Sequence, residues 1–170
     1  MSTHLVLTLI GDDKPGLVEE LSRTINANGG NWLDSSMSQL AGKFAGILLV
    51  NVAEGDVDKL VSALESMSAE LKVVVEQAGP LEKDDSRALL QISLVGNDRP
   101  GIVREISGIL AGQAVNVEQL NSSTEPAPMS AETLFRASAL VRMPPGMGVD
   151  ALQERLEQIA DDLMVEIEQV

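Results

Sequence analysis

The chain has 170 residues, 44% of them hydrophobic and 22% charged, a balance ordinary for one large or two small folded domains. Its 12 basic residues are outnumbered by 26 acids, and the net charge of −14 opposes direct contact with nucleic-acid phosphates or anionic membranes. Cysteine is absent, which removes disulfides, thiolate chemistry and cysteine metal sites, and only Trp32, Phe44 and Phe135 are aromatic, so the cores must be aliphatic.

The first apolar segment alternates, with Leu5, Leu7 and Leu9 on one phase and Thr8 on the other, which predicts a strand. It has no basic region before it and no small-residue cleavage site after it, so neither a signal peptide nor a membrane span is expected, and the expected location is cytoplasmic. The stretch GDDKPGLVEELS (11–22) follows: a tight turn, then a helix whose stripe is Leu17, Val18, Leu21 and Ile25. Within NANGGN, Gly29 or Gly30 can take the left-handed conformation that ends a helix. Asn31 then opens a second strand, 32–39, and KFAGILLVNV reads as a third. A helix striped by Leu60, Leu64 and Met67 and a strand in LKVVVE close the segment. The polar, Gly- and Pro-containing AGPLEKDDSR reads as a linker.

The same order then recurs. Leu90, Ile92 and Leu94 alternate as Leu5, Leu7 and Leu9 do, and GNDRPGIVREIS (96–107) matches the earlier twelve residues at seven positions, 85 residues on. Its helix carries Ile102, Val103, Ile106, Ile109 and Leu110 and ends near GQAVN, where Asn116 keeps the offset of 85 from Asn31. A strand at 117–124 and another in LFRASALVRM follow, the latter at an offset of 91, so six extra residues fall in STEPAPMSAET. Leu152, Leu156, Ile159 and Leu163 stripe the last helix, and MVEIEQ is the last strand.

Each copy is therefore β-α-β-β-α-β, and the chain reads as α+β. Two ferredoxin-like units, 1–78 and 88–170, are joined by a linker at 79–87, each an antiparallel four-stranded sheet with two helices on one face. Handed crossovers put the first and third strands of each unit in the centre and leave the second and fourth as edges. Two such units can pair edges or pack helices, and their junction is a natural place for a ligand.

The repeated turns admit two readings. In DKPG and DRPG, proline suits the first helical position, and Asp13 and Asp98 are placed to accept hydrogen bonds from first-turn N–H groups. Such a helix start has no need of the following glycine, which costs roughly 0.5–1 kcal/mol against alanine inside a helix. The other reading is that Gly16 and Gly101 let a ligand approach the backbone, with the N–H groups of Gly16, Leu17, Gly101 and Ile102 holding a carboxylate. Asn31 and Asn116 either bond to local turn backbone or read an amino or carboxyl group across a domain junction.

Catalytic groups are scarce. His4 is the single histidine and has no counterpart in the second copy. The acid pairs Asp12–Asp13, Asp84–Asp85 and Asp161–Asp162 are sequence neighbours that diverge in any regular element and read as solvated faces. No Gly-rich phosphate loop is present. Catalytic residues, metal sites and cofactors are not expected.

Two β-α-β-β-α-β units, each with a D-[KR]-P-G turn and an asparagine after the first helix, resemble tandem ACT domains, and NSSTEPAPMSAETLFRASA resembles the glycine cleavage system transcriptional repressor family. The resemblance implies an amino-acid sensor rather than an enzyme, with glycine as the first candidate ligand. It also implies repression through a protein partner, for which the acidic chain suggests a basic activator, rather than by reading DNA. Carried over by motif, the ligand residues would be Asp12, Asp13, Lys14, Pro15, Gly16 and Leu17 with Asn31, and Asn97, Asp98, Arg99, Pro100, Gly101 and Ile102 with Asn116. The alternative is a scaffold or regulatory subunit of a metabolic enzyme that binds no small molecule. A homodimer is compatible with both.

Overall fold

The structure, a computed structural model, describes residues 1–81 and 86–170. It divides into two compact units, Met1–Lys83 and Asp84–Val170. The middle of the predicted linker, with the acid pair Asp84–Asp85, lies outside the described residues.

The first unit runs β1 (Ser2–Asp12), α1 (Leu17–Ala27), β2 (Gly30–Leu40), β3 (Lys43–Ala53), α2 (Val57–Glu65) and β4 (Lys72–Gln77). The second repeats it as β5 (Leu89–Asn97), α3 (Ile102–Gly112), β6 (Asn116–Pro126), β7 (Thr133–Arg142), α4 (Val149–Glu157) and β8 (Met164–Gln169). The sheet orders are β2-β3-β1-β4 and β6-β7-β5-β8, with every pairing antiparallel. These are two ferredoxin-like α+β units with the first and third strands of each in the centre, as the sequence predicts.

Alternation decides which face of each sheet is covered. Leu5, Leu7 and Leu9 of β1 and Leu48, Val50 and Val52 of β3 are buried beneath the helices, which meet them with Leu17, Leu21 and Ile25 of α1 and Leu60 and Leu64 of α2. The second core uses the corresponding places: Leu90, Ile92 and Leu94, then Ile102, Ile106 and Leu110, then Leu152 and Leu156. Each such side chain, fully buried, contributes about 1.5–3 kcal/mol.

Two helices stop short of their predicted stripes. α2 ends at Glu65 and α4 at Glu157, so Met67, Ile159 and Leu163 reach the cores from the turns that follow. After α2, the Ser66 hydroxyl donates to the Ala63 carbonyl at 2.6 Å, a local bond that competes with further helix.

The six extra residues of the second copy fall in one hairpin. Leu40 pairs with Lys43 around the two-residue turn Ala41–Gly42. In the second unit the corresponding pair, Glu125 with Leu134, is followed by one more, Pro126 with Thr133, and a loop over 127–132. A register shift occurs at the same place in both copies, between Trp32 and Asp34 and between Val117 and Gln119.

Candidate functional site

The two D-[KR]-P-G turns hold their glycines for a backbone reason. Gly16 has φ 90° and Gly101 φ 88°, the left-handed region, and each is the residue just before its helix. Side chains with a Cβ avoid that region, at roughly 1–2 kcal/mol. Proline therefore stands outside the helix, not at its first position. No side chain caps α1 or α3, so Asp13 and Asp98 do not accept the first-turn N–H groups as the sequence suggested. An added Cβ on Gly16 or Gly101 would meet nothing within 4 Å, so open space lies beside each turn.

Backbone bonds anchor both turns to the neighbouring hairpin. The Asp13 N–H donates to the Gly42 carbonyl at 2.9 Å, and the Asp98 N–H donates to the Thr133 carbonyl at 2.8 Å. Gly11 and Gly96, which open the two motifs, are needed for close approach. A Cβ on Gly11 would strike the Glu70 carbonyl oxygen, and one on Gly96 would sit 3.0 Å from Leu163.

The charges of the two turns are wired differently. In the first, Lys43 pairs with Asp12 and Lys14 with Glu70. The Lys43 ammonium, by hydrogen bond and by charge, holds the Asp12 carboxyl below its ordinary value. In the second, Asn97 replaces Asp12, and its strand partner is the uncharged Leu134. The Asn97 N–H donates to the Asp162 carboxylate at 2.7 Å, and Arg99 forks onto Glu105, with one contact at 3.1 Å, while also donating to the Ile159 carbonyl at 3.3 Å. Asp12 and Asp162 remain exposed, as the sequence predicts for the adjacent acids, and each also has a partner, the Lys43 ammonium for one and the Asn97 N–H for the other.

Neither asparagine shares an end of its sheet with its own turn. Asp12 pairs with Lys43, whereas Asn31 pairs with Asn51, which pairs with His4, eight residues back along β1. At 3.3 Å per residue the separation is about 26 Å. The second unit repeats this: Asn97 pairs with Leu134, while Asn116 pairs with Arg142 opposite Leu89. Sequence reasoning missed Asn51. Its Oδ1 is buried without a hydrogen-bond partner among the described residues, between Asn31 and His4.

The surroundings of the turns also differ. In the second unit Pro100 and Gly101 lie at the rim of an open depression of about 830 Å³ between α3 and α4, lined by Arg104, Gly108, Gly112 and Arg155. Among the described residues neither Arg104 nor Arg155 has an ion-pair partner. The corresponding groove between α1 and α2 measures about 410 Å³, and no residue of the first turn lines it. There Arg23 stands where the second unit has Gly108, and it is tied to Glu19 at 2.9 Å. Arg104 and Arg155 were not among the predicted site residues; only the loss of the acid at 104 and of the side chain at 108, relative to the first copy, could have signalled them.

Among the described residues no group of three or more His, Asp or Glu side chains comes together to hold a metal ion. No helix among them is long and apolar enough to cross a membrane.

Residues 3–77 match the ACT domain family model. The glycine cleavage system transcriptional repressor of Escherichia coli (strain K12) is 25% identical over 126 residues, 73% of this chain and 66% of that protein. The chain thus spans just under two thirds of the repressor's length. A UPF0237 protein of Methanopyrus kandleri is 37% identical over 75 residues, 43% of this chain and 83% of that protein. A crystal structure of an unknown protein from Galdieria sulphuraria superposes over 100% of this chain and 99% of that one, with 28% identity and a TM-score of 0.87.

Proposed function

The chain belongs to the ACT-domain family, with two such domains in tandem, and from that membership we propose that it is a cytoplasmic amino-acid-responsive regulator. It senses a small amino acid, glycine first, and controls glycine cleavage genes through a protein partner, not by touching DNA. It has no catalytic role. Support for the ligand comes from one feature above all: the second turn, 97–102, opens onto a depression whose two arginines have no acidic partner among the described residues. In a chain of net charge −14, that is an uncommon concentration of unmatched positive charge. A carboxylate would be held by Arg104 or Arg155, with the Gly101 turn beside it, and the ammonium would face Glu105, the acid among the lining residues, which it would share with Arg99. The first turn, 12–17, with its cations already tied to Asp12 and Glu70, is the weaker of the two sites, and Asn31 and Asn116, at the opposite ends of their sheets, would not share a small ligand with the turns of their own units. Partner recognition follows from the likeness to the repressor and from the acidity, which suits a basic activator.

Titration calorimetry with glycine, serine, alanine and leucine tests the reading. The expected result is saturable heat for at least one small amino acid, weakened at least about tenfold in Arg104→Glu and Arg155→Glu. Flat traces for every amino acid would overturn it and favour a ligand-independent scaffold.

A further inference from the structure

The side of the first sheet that its own helices leave bare has residues set by strand register. Facing away from the helices, β2, β3, β1 and β4 present three rows: Ser38–Ala45–Ile10–Lys72, Ser36–Ile47–Thr8–Val74 and Asp34–Leu49–Val6–Glu76. The middle two columns are apolar apart from Thr8. Ile10, Ile47 and Val74 are 46%, 55% and 48% exposed, an unusual state for side chains of this kind on adjacent strands.

The three rows have a property that an arbitrary apolar patch lacks. A two-fold axis lying along the middle row, between two stacked sheets, exchanges the first row with the third. Ile10 then meets Val6, Ala45 meets Leu49, Lys72 meets Glu76, and Ser38 meets Asp34. Apolar groups fall on apolar groups, the cation falls on the anion, and the hydroxyl falls on a carboxylate that can accept its hydrogen bond. The second sheet fails the same operation. Its outward rows are Ser123–Arg136–Val95–Met164, Asn121–Ser138–Ser93–Glu166 and Gln119–Leu140–Gln91–Glu168, which would set Arg136 on Leu140 and Met164 on Glu168.

We propose that the outward face of the first sheet is a self-association surface, occupied by the same face of a second copy of this chain, with Lys72 of each copy against Glu76 of the other. Four strands and three rows cover about 400 Å² per copy. That is roughly half the usual share of a stable interface, so the pair is weak and concentration-dependent. The inference stands apart from the amino-acid reading, because it uses no residue of the turns or of the α3–α4 depression.

Sedimentation velocity on the full chain across a wide concentration range tests it. Wild type is expected to move from monomer to dimer. Ile47→Asp, at an exposed position where the fold is retained, is expected to weaken the dimer at least about tenfold, with circular dichroism confirming the fold. Lys72→Glu alone is expected to weaken it several-fold, and Lys72→Glu combined with Glu76→Lys to restore it, because the swap keeps opposite charges facing. A chain that stays monomeric throughout, a dimer that survives Ile47→Asp or Lys72→Glu, or a double variant no better than the single would each overturn the proposal.

Discussion

In β1 and β5 the inward residues are Leu5, Leu7 and Leu9 against Leu90, Ile92 and Leu94, buried alike, while the outward residues are Val6, Thr8 and Ile10 against Gln91, Ser93 and Val95. The two repeats have kept one side of a period-two pattern and changed the other. Inward positions answer to the helices above them, and any polar group there would be left without a partner. Outward positions answer only to what lies beyond the unit, and so they are free to diverge into an apolar face in one copy and a polar face in the other. The grooves between helices follow the same rule: the inward residues Leu21 and Ile106 are both buried, while two residues further along each helix Arg23 lines the narrower groove and Gly108 the wider one.

The largest departure from this parity lies inside the cores. Leu48 in the first unit corresponds to Ala139 in the second, and Trp32 corresponds to Val117. An apolar pocket of about 40 Å³, open to solvent, lies between α3 and β6, with Ala139 at its buried side and the partly exposed Val117, Leu120 and Val103 around it. Leu48→Ala should therefore cost the first unit about 2–5 kcal/mol. Ala139→Val should instead stabilise the second by up to about 1 kcal/mol, the amount a cavity of that size represents at ~24 cal/mol per Å³. Urea unfolding of the full chain measures both; a destabilised Ala139→Val would show that the second core has no space to give.

A smaller effect separates two explanations of the turn glycines. Because Gly16 and Gly101 share a left-handed φ and both face open space, Gly16→Ala and Gly101→Ala should cost similar amounts, about 1–2 kcal/mol each, through backbone strain alone. Were the glycines present only to admit a ligand, both variants would retain wild-type stability in unfolding experiments and lose affinity in calorimetry.

The order of elements, the central and edge strands and the site of the six-residue insertion were all legible in the sequence, because alternation at Leu5–Leu9 and Leu90–Leu94 and stripes such as Leu17, Leu21 and Ile25 are local signals. The backbone conformation at Gly16 was not, since D-K-P-G suits either a first-turn proline or a left-handed residue before the helix, and only the anchoring of Asp13 to Gly42 decides between them. Nor was the separation of Asn31 from its turn, which follows from β1 ending at Asp12 and α1 carrying the chain back along the sheet to the level of His4, eight residues before Asp12. The partners of Lys14 and Arg99 required tertiary structure: Glu70 lies beyond α2, and Arg99 reaches both its own helix and Ile159.

The smallest predicted difference concerns a charge that only the first repeat carries. Asp12 is hydrogen-bonded by Lys43 and titrates below its ordinary value, whereas Asn97 and Leu134 at the corresponding places cannot titrate. A carboxyl depressed in the folded state binds its proton less readily than in the unfolded chain. Its contribution is therefore fully present above the unfolded value of about 3.9 and fades as pH falls through the lower folded value. The pair is exposed, so its contribution to stability is slight and is best read at the group itself. A carboxyl-resolved NMR titration should place the Asp12 midpoint below that of an ordinary aspartate, and Lys43→Met should return it to the ordinary range. High salt should narrow the difference between the two. A midpoint indifferent to Lys43→Met would mean that the ion pair does not form in solution, and the first turn would then present a free carboxylate where the second presents an amide.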